Sequence, residues 1–248
     1  MNNSLEAKVK IPAVFCWSGG KDSAFALHKI LKENIYEVKY LLSTFNGNYN
    51  RLSMHGIREV LIEAQANSIA IPLIKVFVFG SSNEEYENNM ASAFQQLKNK
   101  GIKAVIYGDI FLADLRKYRE EKMKPIGLNC VFPIWQKNTN KLIEAFLAIG
   151  FKTIICCVND GYLNYDFVGK IIDKNFIETL PSNVDACGEN GEFHSFCFDG
   201  PIFKYPIKVK TGEKIYKPLE LKFSNHPTSL QQIETKGFWF IDLMLTAN

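Results

Sequence analysis

Two stretches of this 248-residue chain hold residue types at spacings that could do chemistry. The first is Ser18-Gly19-Gly20-Lys21-Asp22-Ser23. Adjacent glycines permit a tight turn whose N–H groups reach a ligand closely. The Ser18 and Ser23 hydroxyls and the Lys21 ammonium add further donors for an oxyanion. An apolar run over residues 11–17 precedes the turn, and a helix-type run over 24–31 follows it. A turn between a strand and a helix start meets unpaired N–H groups and a positive dipole end. That context points to phosphate binding rather than to a bare N-capped turn. The spacing excludes a Walker A loop, which needs Gly, four residues, then Gly-Lys-Ser/Thr.

The second stretch is Asp185-Ala186-Cys187-Gly188-Glu189-Asn190-Gly191-Glu192-Phe193-His194-Ser195-Phe196. Several titratable groups on a Gly-rich loop mark a candidate site. Glu192 and His194 are two apart, so on a strand they would share a face. Such a pair could set an imidazole tautomer or move a proton. Metal chelation is the weaker expectation, since Glu-x-His with one Cys matches no standard ligand spacing.

The elements that must position these stretches follow from periodicity. Strands are expected over residues 38–45, 72–79, 104–110 and 131–135, with helices over 57–70 and 84–100. Strands alternating with helices predict a parallel sheet whose C-terminal edge binds ligands. After about residue 136 a helix over 142–149 and a strand over 153–158 lead into shorter β-like runs at 193–198, 206–210 and 239–243. The expected division is therefore 1–136 as the domain carrying the phosphate-binding turn and 137–248 as a smaller C-terminal α+β lobe carrying the second stretch.

Bulk composition bounds the function classes. Hydrophobic residues make up 47% and charged residues 22%, enough apolar material for a core without staples. A net charge of +3 is thin support for nucleic acid as a partner. The cluster Lys204, Lys208, Lys210, Lys214, Lys217 and Lys222 reads as a solvated face. No membrane span or leader-type start is seen, so a cytoplasmic location is expected. None of the six cysteines forms a Cys-x-x-Cys pair, and Cys156-Cys157 reads as buried strand.

Ser18–Ser23 resembles the PP-loop of ATP pyrophosphatases, the adenine nucleotide alpha-hydrolase group. Together with Gly188–Ser195 it is similar to the diphthine–ammonia ligase family of PP-loop ATPases. The similarity extends to Ser53-Met54-His55-Gly56-Ile57-Arg58, Gly108-Asp109-Ile110-Phe111, Asp114–Glu120, Phe132-Pro133-Ile134-Trp135, Asp199–Phe203 and Phe240–Leu243. The resemblance implies a HUP-like, Rossmann-like α/β domain with helices on both faces, followed by a family-specific C-terminal lobe. It implies an ATP-dependent, Mg²⁺-assisted ligase that adenylates a carboxylate, releases pyrophosphate, and lets ammonia displace AMP. The acceptor in archaeal and eukaryotic members is diphthine on elongation factor two. The stretches around His55 and Gly108–Glu120 look closer to a bacterial branch, for which another acceptor is implied.

On that basis the phosphates are expected on Ser18, Gly19, Gly20, Lys21, Asp22 and Ser23, with Asp22 capping the helix or holding Mg²⁺. Adenine is expected near Ser43, Thr44 and Phe45, at the end of the second strand. Arg58, Arg116 and Arg119 are candidates for added positive charge, and Gly108-Asp109 for a nucleotide, Mg²⁺ or amine contact. Glu189, Glu192 and His194 are expected to bind the acceptor and take a proton from ammonium. Free ammonia is the expected nitrogen source, and a homodimer is compatible with all of this. The alternatives are a tRNA-modifying PP-loop ATPase and a non-catalytic nucleotide-binding protein.

Overall fold

The computed structural model describes residues 9–53, 55–80, 82–219 and 235–246. Met54 and Lys222, named above, and residues 1–8 lie outside the described residues. The chain runs β1 (Ile11–Cys16), α1 (Lys21–Glu33), β2 (Tyr36–Asn46), β3 (Arg51–Leu52), α2 (Glu59–Ile69), β4 (Leu73–Val78), α3 (Asn83–Asn99) and β5 (Ala104–Ile106). It continues with α4 (Ala113–Met123), β6 (Asn129–Val131), α5 (Thr139–Ala148), β7 (Lys152–Asn159), α6 (Lys174–Glu178), β8 (Phe193–Asp199), β9 (Val209–Pro218) and β10 (Gly237–Leu245).

The first sheet has the order β3-β2-β1-β5-β6, with β4 also pairing β2. All its pairings are parallel except that of the two-residue β3. Side chains of β1 alternate between its two faces, as the pleat requires. Ala13 and Phe15 enter one core with Leu27 of α1, Leu61 of α2 and Phe146 of α5. Val14 enters the other with Phe94 of α3 and Met123 of α4. A sheet covered on both faces explains why its strands are near-continuous apolar runs. The chain moves outward from β1 through β2 to β4, then crosses back to β5 on the other side of β1. The loops after β1 and β5 therefore diverge at a switch point, the usual ligand crevice of such sheets.

The second sheet is antiparallel, in the order β8-β7-β10-β9. Its strand β7 buries Cys156 and Cys157 and shares the core of α1 and α5. The elements near the site differ from the periodicity in their bounds and in one added helix. β6 ends at Val131 rather than spanning 131–135, because Pro133 has no N–H and the Trp135 N–H turns back onto the Phe132 carbonyl. β5 stops at Ile106, and the chain from Tyr107 to Leu112 becomes the cleft loop. The helix α4 carries no apolar stripe, burying only Met123, so periodicity had nothing to register. Among the described residues no helix is long and apolar enough to cross a membrane.

Candidate active site

The turn after β1 is built by an unusual carbonyl. Gly19 sits at φ 72°, a conformation glycine adopts without penalty. Its carbonyl accepts from the Cys197 N–H at 2.8 Å and from Gln65 Nε2 at 2.9 Å. The Ser18 and Ser23 hydroxyls meet at 2.7 Å and brace the turn across its mouth. Helix α1 then starts at Gly20, which offers no side-chain cap. The Lys21 N–H instead meets the Ser195 hydroxyl of β8 at 3.2 Å. An exchangeable hydroxyl is a weak hold on a helix-start N–H that a phosphate oxygen would take with full charge.

The second stretch arches over this turn. Asp185 and Glu192 brace it from within. Asp185 accepts from the Thr139 hydroxyl at 2.6 Å and from the Cys187 N–H at 2.8 Å. Glu192 is fully buried, and its carboxylate accepts from the Asp185 and Asn190 N–H groups, each at 2.8 Å, and from Asn190 Nδ2 at 2.9 Å. The loop so held presents Glu189, which accepts the Phe111 N–H at 3.1 Å and so reaches the loop after β5. β8 then brings His194 against His55, ring centroids 4.5 Å apart. Between turn, β5 loop and arch lies a cavity of about 540 Å³.

The charges in this cavity are opposed and half-buried. Lys21 Nζ lies 2.7 Å from Asp22 Oδ2. Burial works to lower the Lys21 amine, but Asp22, with Cys187 and Glu189 adding to it, raises the amine above its ordinary value. Burial also raises the Asp22 carboxyl in spite of that pair. Asp109 is raised by burial against the pull of Arg119, which bonds it at 3.1 Å and stacks 4.1 Å over the Tyr107 ring. Glu189 is pushed up to about 7, chiefly by burial. Burial lowers His55 to about 4 and, with His55 and Lys21 adding to it, holds His194 well below the usual imidazole range. At neutral pH both imidazoles are uncharged. The cleft thus holds two fixed cations, two neutral rings and one carboxylate balanced near pH 7.

Of the residues singled out in the sequence, the cavity brings together Ser18, Gly20, Lys21, Asp22, Ser23, Gly108, Asp109, Arg119, Glu189 and His194. Gly19 shapes the turn from behind. Glu192 does not line the cavity; its oxygens face the loop's own N–H groups, and it precedes β8 rather than sharing a strand face with His194. The adenine expectation at Ser43, Thr44 and Phe45 finds no opening there. Ser43 bonds the Trp17 carbonyl at 2.6 Å, Thr44 faces the Met90 sulfur, and Phe45 is buried against Phe77. Arg58 lies outside the cavity, bidentate on Asp242, and Arg116 pairs with Glu120 and stacks on Phe132 and Trp135. Asp242 explains the arginine's position: it joins β10 to the start of α2, with Arg51 also bound at 3.0 Å.

Sequence reasoning assigned no role to His55, Gln65 and Ser195. His55 lay within a family-like segment, yet a lone histidine before a glycine gives no periodic signal. Its Nδ1 lies 3.1 Å from the Ser18 carbonyl and therefore carries the proton, leaving Nε2 as the basic atom. Gln65 stands on the buried face of α2, where an isolated polar residue is invisible without its partners.

Comparisons with known proteins give the chain a family. A family model for the diphthamide synthase N-terminal domain matches residues 11–130, and one for the diphthamide synthase C-terminal domain matches 138–222. The chain is 26% identical over 226 residues to a diphthine–ammonia ligase of Mus musculus, covering 80% of this chain and 82% of the relative. It is 24% identical over 220 residues to that of Danio rerio, covering 80% and 86%. It is also 24% identical over 218 residues to that of Schizosaccharomyces pombe, covering 80% of this chain and 36% of the relative.

Proposed function

This chain belongs to the diphthamide synthase family, whose curated relatives are named diphthine–ammonia ligases, and from that premise we propose how its cleft works as an ATP-dependent ligase. ATP lies with its β- and γ-phosphates on the N–H groups from Gly20 to Ser23, on the Lys21 ammonium and on the Ser18 and Ser23 hydroxyls. Adenine rests on the apolar wall of Leu112, Leu115 and Tyr107 rather than at the end of β2. An acceptor carboxylate oxygen attacks the α-phosphorus, the α–β bridging bond breaks, and pyrophosphate leaves with the electron pair. Charge builds on the leaving oxygens, where Lys21 and the preorganised N–H groups hold it. Arg119, kept in place by Asp109 and Tyr107, adds a second cation at the cleft floor.

Ammonia then attacks the acyl carbon, and AMP leaves with the bonding pair. Ammonium is the dominant form near neutral pH, so a base is needed. Glu189, at about 7, suits that task, because a general base works best near the operating pH. His55 and His194 are neutral and offer hydrogen bonds at the acyl centre without adding charge. Glu192 acts on the loop rather than on the substrate. We further place the division between the two lobes at 136/137 and the protein in the cytoplasm.

Asp22 fits a divalent cation in one respect: its Oδ1 is buried with no hydrogen-bond partner among the described residues. Mg²⁺ keeps several waters and is commonly held through one or two carboxylates and the substrate's phosphates, a role open to Asp22 here. So bound, Mg²⁺ would neutralise phosphate charge.

The observation that carries this mechanism is the meeting of the glycine turn and the Glu189–His194 arch across one cavity. The name of the relatives states diphthine as what they act on; for this chain we propose a carboxylate acceptor carried on a protein. A tRNA-modifying role or a non-catalytic nucleotide sensor is not favoured by those relatives. Incubation with α-labelled ATP, Mg²⁺, ¹⁵N-ammonium and fractionated cell protein should give AMP, pyrophosphate and a ¹⁵N-amide on one acceptor. ADP as the nucleotide product would overturn the α-phosphate assignment.

A further inference from the structure

Gln65 is fully buried on α2, and both its amide oxygen and its amide nitrogen are hydrogen-bonded to neighbours. Its Oε1 accepts from Trp17 Nε1 at 2.8 Å. Its Nε2 donates to the Gly19 carbonyl at 2.9 Å and to the Cys197 carbonyl at 2.6 Å. An indole can only donate, and a carbonyl can only accept, so the orientation of this amide is fixed by its partners. The three contacts join the residue that follows β1, the glycine turn, α2 and β8 at one point.

The consequence lies on the other side of the Gly19–Gly20 peptide. The peptide is planar and trans, so its C=O and N–H point in opposite directions. With the Gly19 carbonyl drawn inward by Gln65 and Cys197, the Gly20 N–H is turned outward. Its contact in the turn is the Ser18 hydroxyl at a long 3.4 Å, and Gly20 lines the cavity. A peptide between two glycines can flip at low conformational penalty, because glycine accepts either sign of φ. Within the turn, the long Ser18 hydroxyl contact is a weak opponent of that flip. The stronger opposition comes from the two donors on the Gly19 carbonyl.

We propose that Gln65 is a positioning residue that locks the Gly19–Gly20 peptide with its N–H facing the nucleotide phosphates, and ties that lock to β8, the strand carrying His194. The proposal rests on the nucleotide reading above. It makes the phosphate turn and the acceptor strand one mechanical unit.

The test compares MgATP affinity, by calorimetry, for the wild-type chain and Gln65→Met, which keeps the volume and removes every hydrogen bond. Losing one N–H bond to a charged phosphate should weaken MgATP about tenfold to a hundredfold. Ile69→Val, on the same helix, calibrates the effect of lost packing and should leave the affinity within about twofold. Gln65→Met that is less stable but binds MgATP like wild type would sink the role of Gln65. Should Gln65→Met fail to fold, the wild-type chain still decides: MgATP should move the Gly20 amide proton strongly downfield in an ¹⁵N-correlated spectrum. A Gly20 amide that stays in place while MgATP binds would overturn the lock. Wild-type protein that binds no MgATP at all would instead remove the nucleotide reading beneath it.

Discussion

Glu189 and Glu192 stand three residues apart and meet different fates, and the difference is made by their partners. Glu192 accepts three N–H bonds and sees no solvent. Glu192→Ala orphans those donors, so urea unfolding should show a loss of about 2–4 kcal/mol. Glu189 accepts the Phe111 N–H and is desolvated. Its carboxyl holds its proton up to about 7 in the fold but releases it near 4.5 when unfolded. The folded chain therefore binds more protons between those values, and its stability falls as pH rises through that window. Glu189→Gln lacks the penalty and can still accept the Phe111 N–H. In the absence of ligand, its melting temperature should exceed that of the wild type at pH 8, and the gap should close toward pH 5. Amidation by Glu189→Gln should fall about a hundredfold or more at neutral pH, measured by ¹⁵N incorporation. The sequence could not separate the two glutamates. Both sit on one polar loop, and only the folded arch decides which carboxylate it consumes.

At the scale of elements, the site depends on how closely α1 approaches the loop after β5. A Cβ at Gly108 would lie 3.1 Å from Ser23 Cα and N and 3.2 Å from the Asp22 carbonyl carbon. Backbone cannot yield as a side-chain tip does. Gly108→Ala should displace the start of α1, destabilise by about 1–3 kcal/mol, and weaken MgATP more than a surface change of equal size. Calorimetry and thermal melts on the same variant check both halves. β1, the turn and α1 were legible because a strand, two glycines and a helix-type run lie in one continuous stretch. The paired arch was legible as a cluster, though not in its roles. α4 was not, since a solvated helix of charged residues carries no apolar stripe. Ser43, Thr44 and Phe45 misled for a related reason. Residues at a strand end look available in sequence, but here the β2 end is covered by Met90 and Phe77. The arginines misled because charge alone does not say where an arginine finds its carboxylate. Arg58 finds Asp242, 184 residues away.

For the whole molecule, the two sheets share one core, and the cavity is closed by residues from both ends of that core. Ser195, Cys197 and Gln65 all hold the turn from outside it, so nucleotide and acceptor sides are assembled together. Lys21→Met should bring this out. It removes the buried cation and leaves the desolvated Asp22 unpaired, so AMP formation at saturating ATP should drop about a hundredfold or more and the melting temperature should fall with it. Lys204, Lys208, Lys210 and Lys217 are exposed instead, whereas the half-buried Lys214 lies over the Tyr165 ring at 4.1 Å and donates to the Tyr165 carbonyl at 3.1 Å. The most direct test is a crystal structure with Mg²⁺ and an ATP analogue whose α–β bridge is a methylene, so that the bond in question cannot break. The β- and γ-phosphates should lie on the N–H groups from Gly20 to Ser23, with Ser195 displaced from Lys21 and the α-phosphorus open toward His194 and Glu189. An analogue bound elsewhere, with those N–H groups still on the Ser18 and Ser195 hydroxyls, would contradict the account.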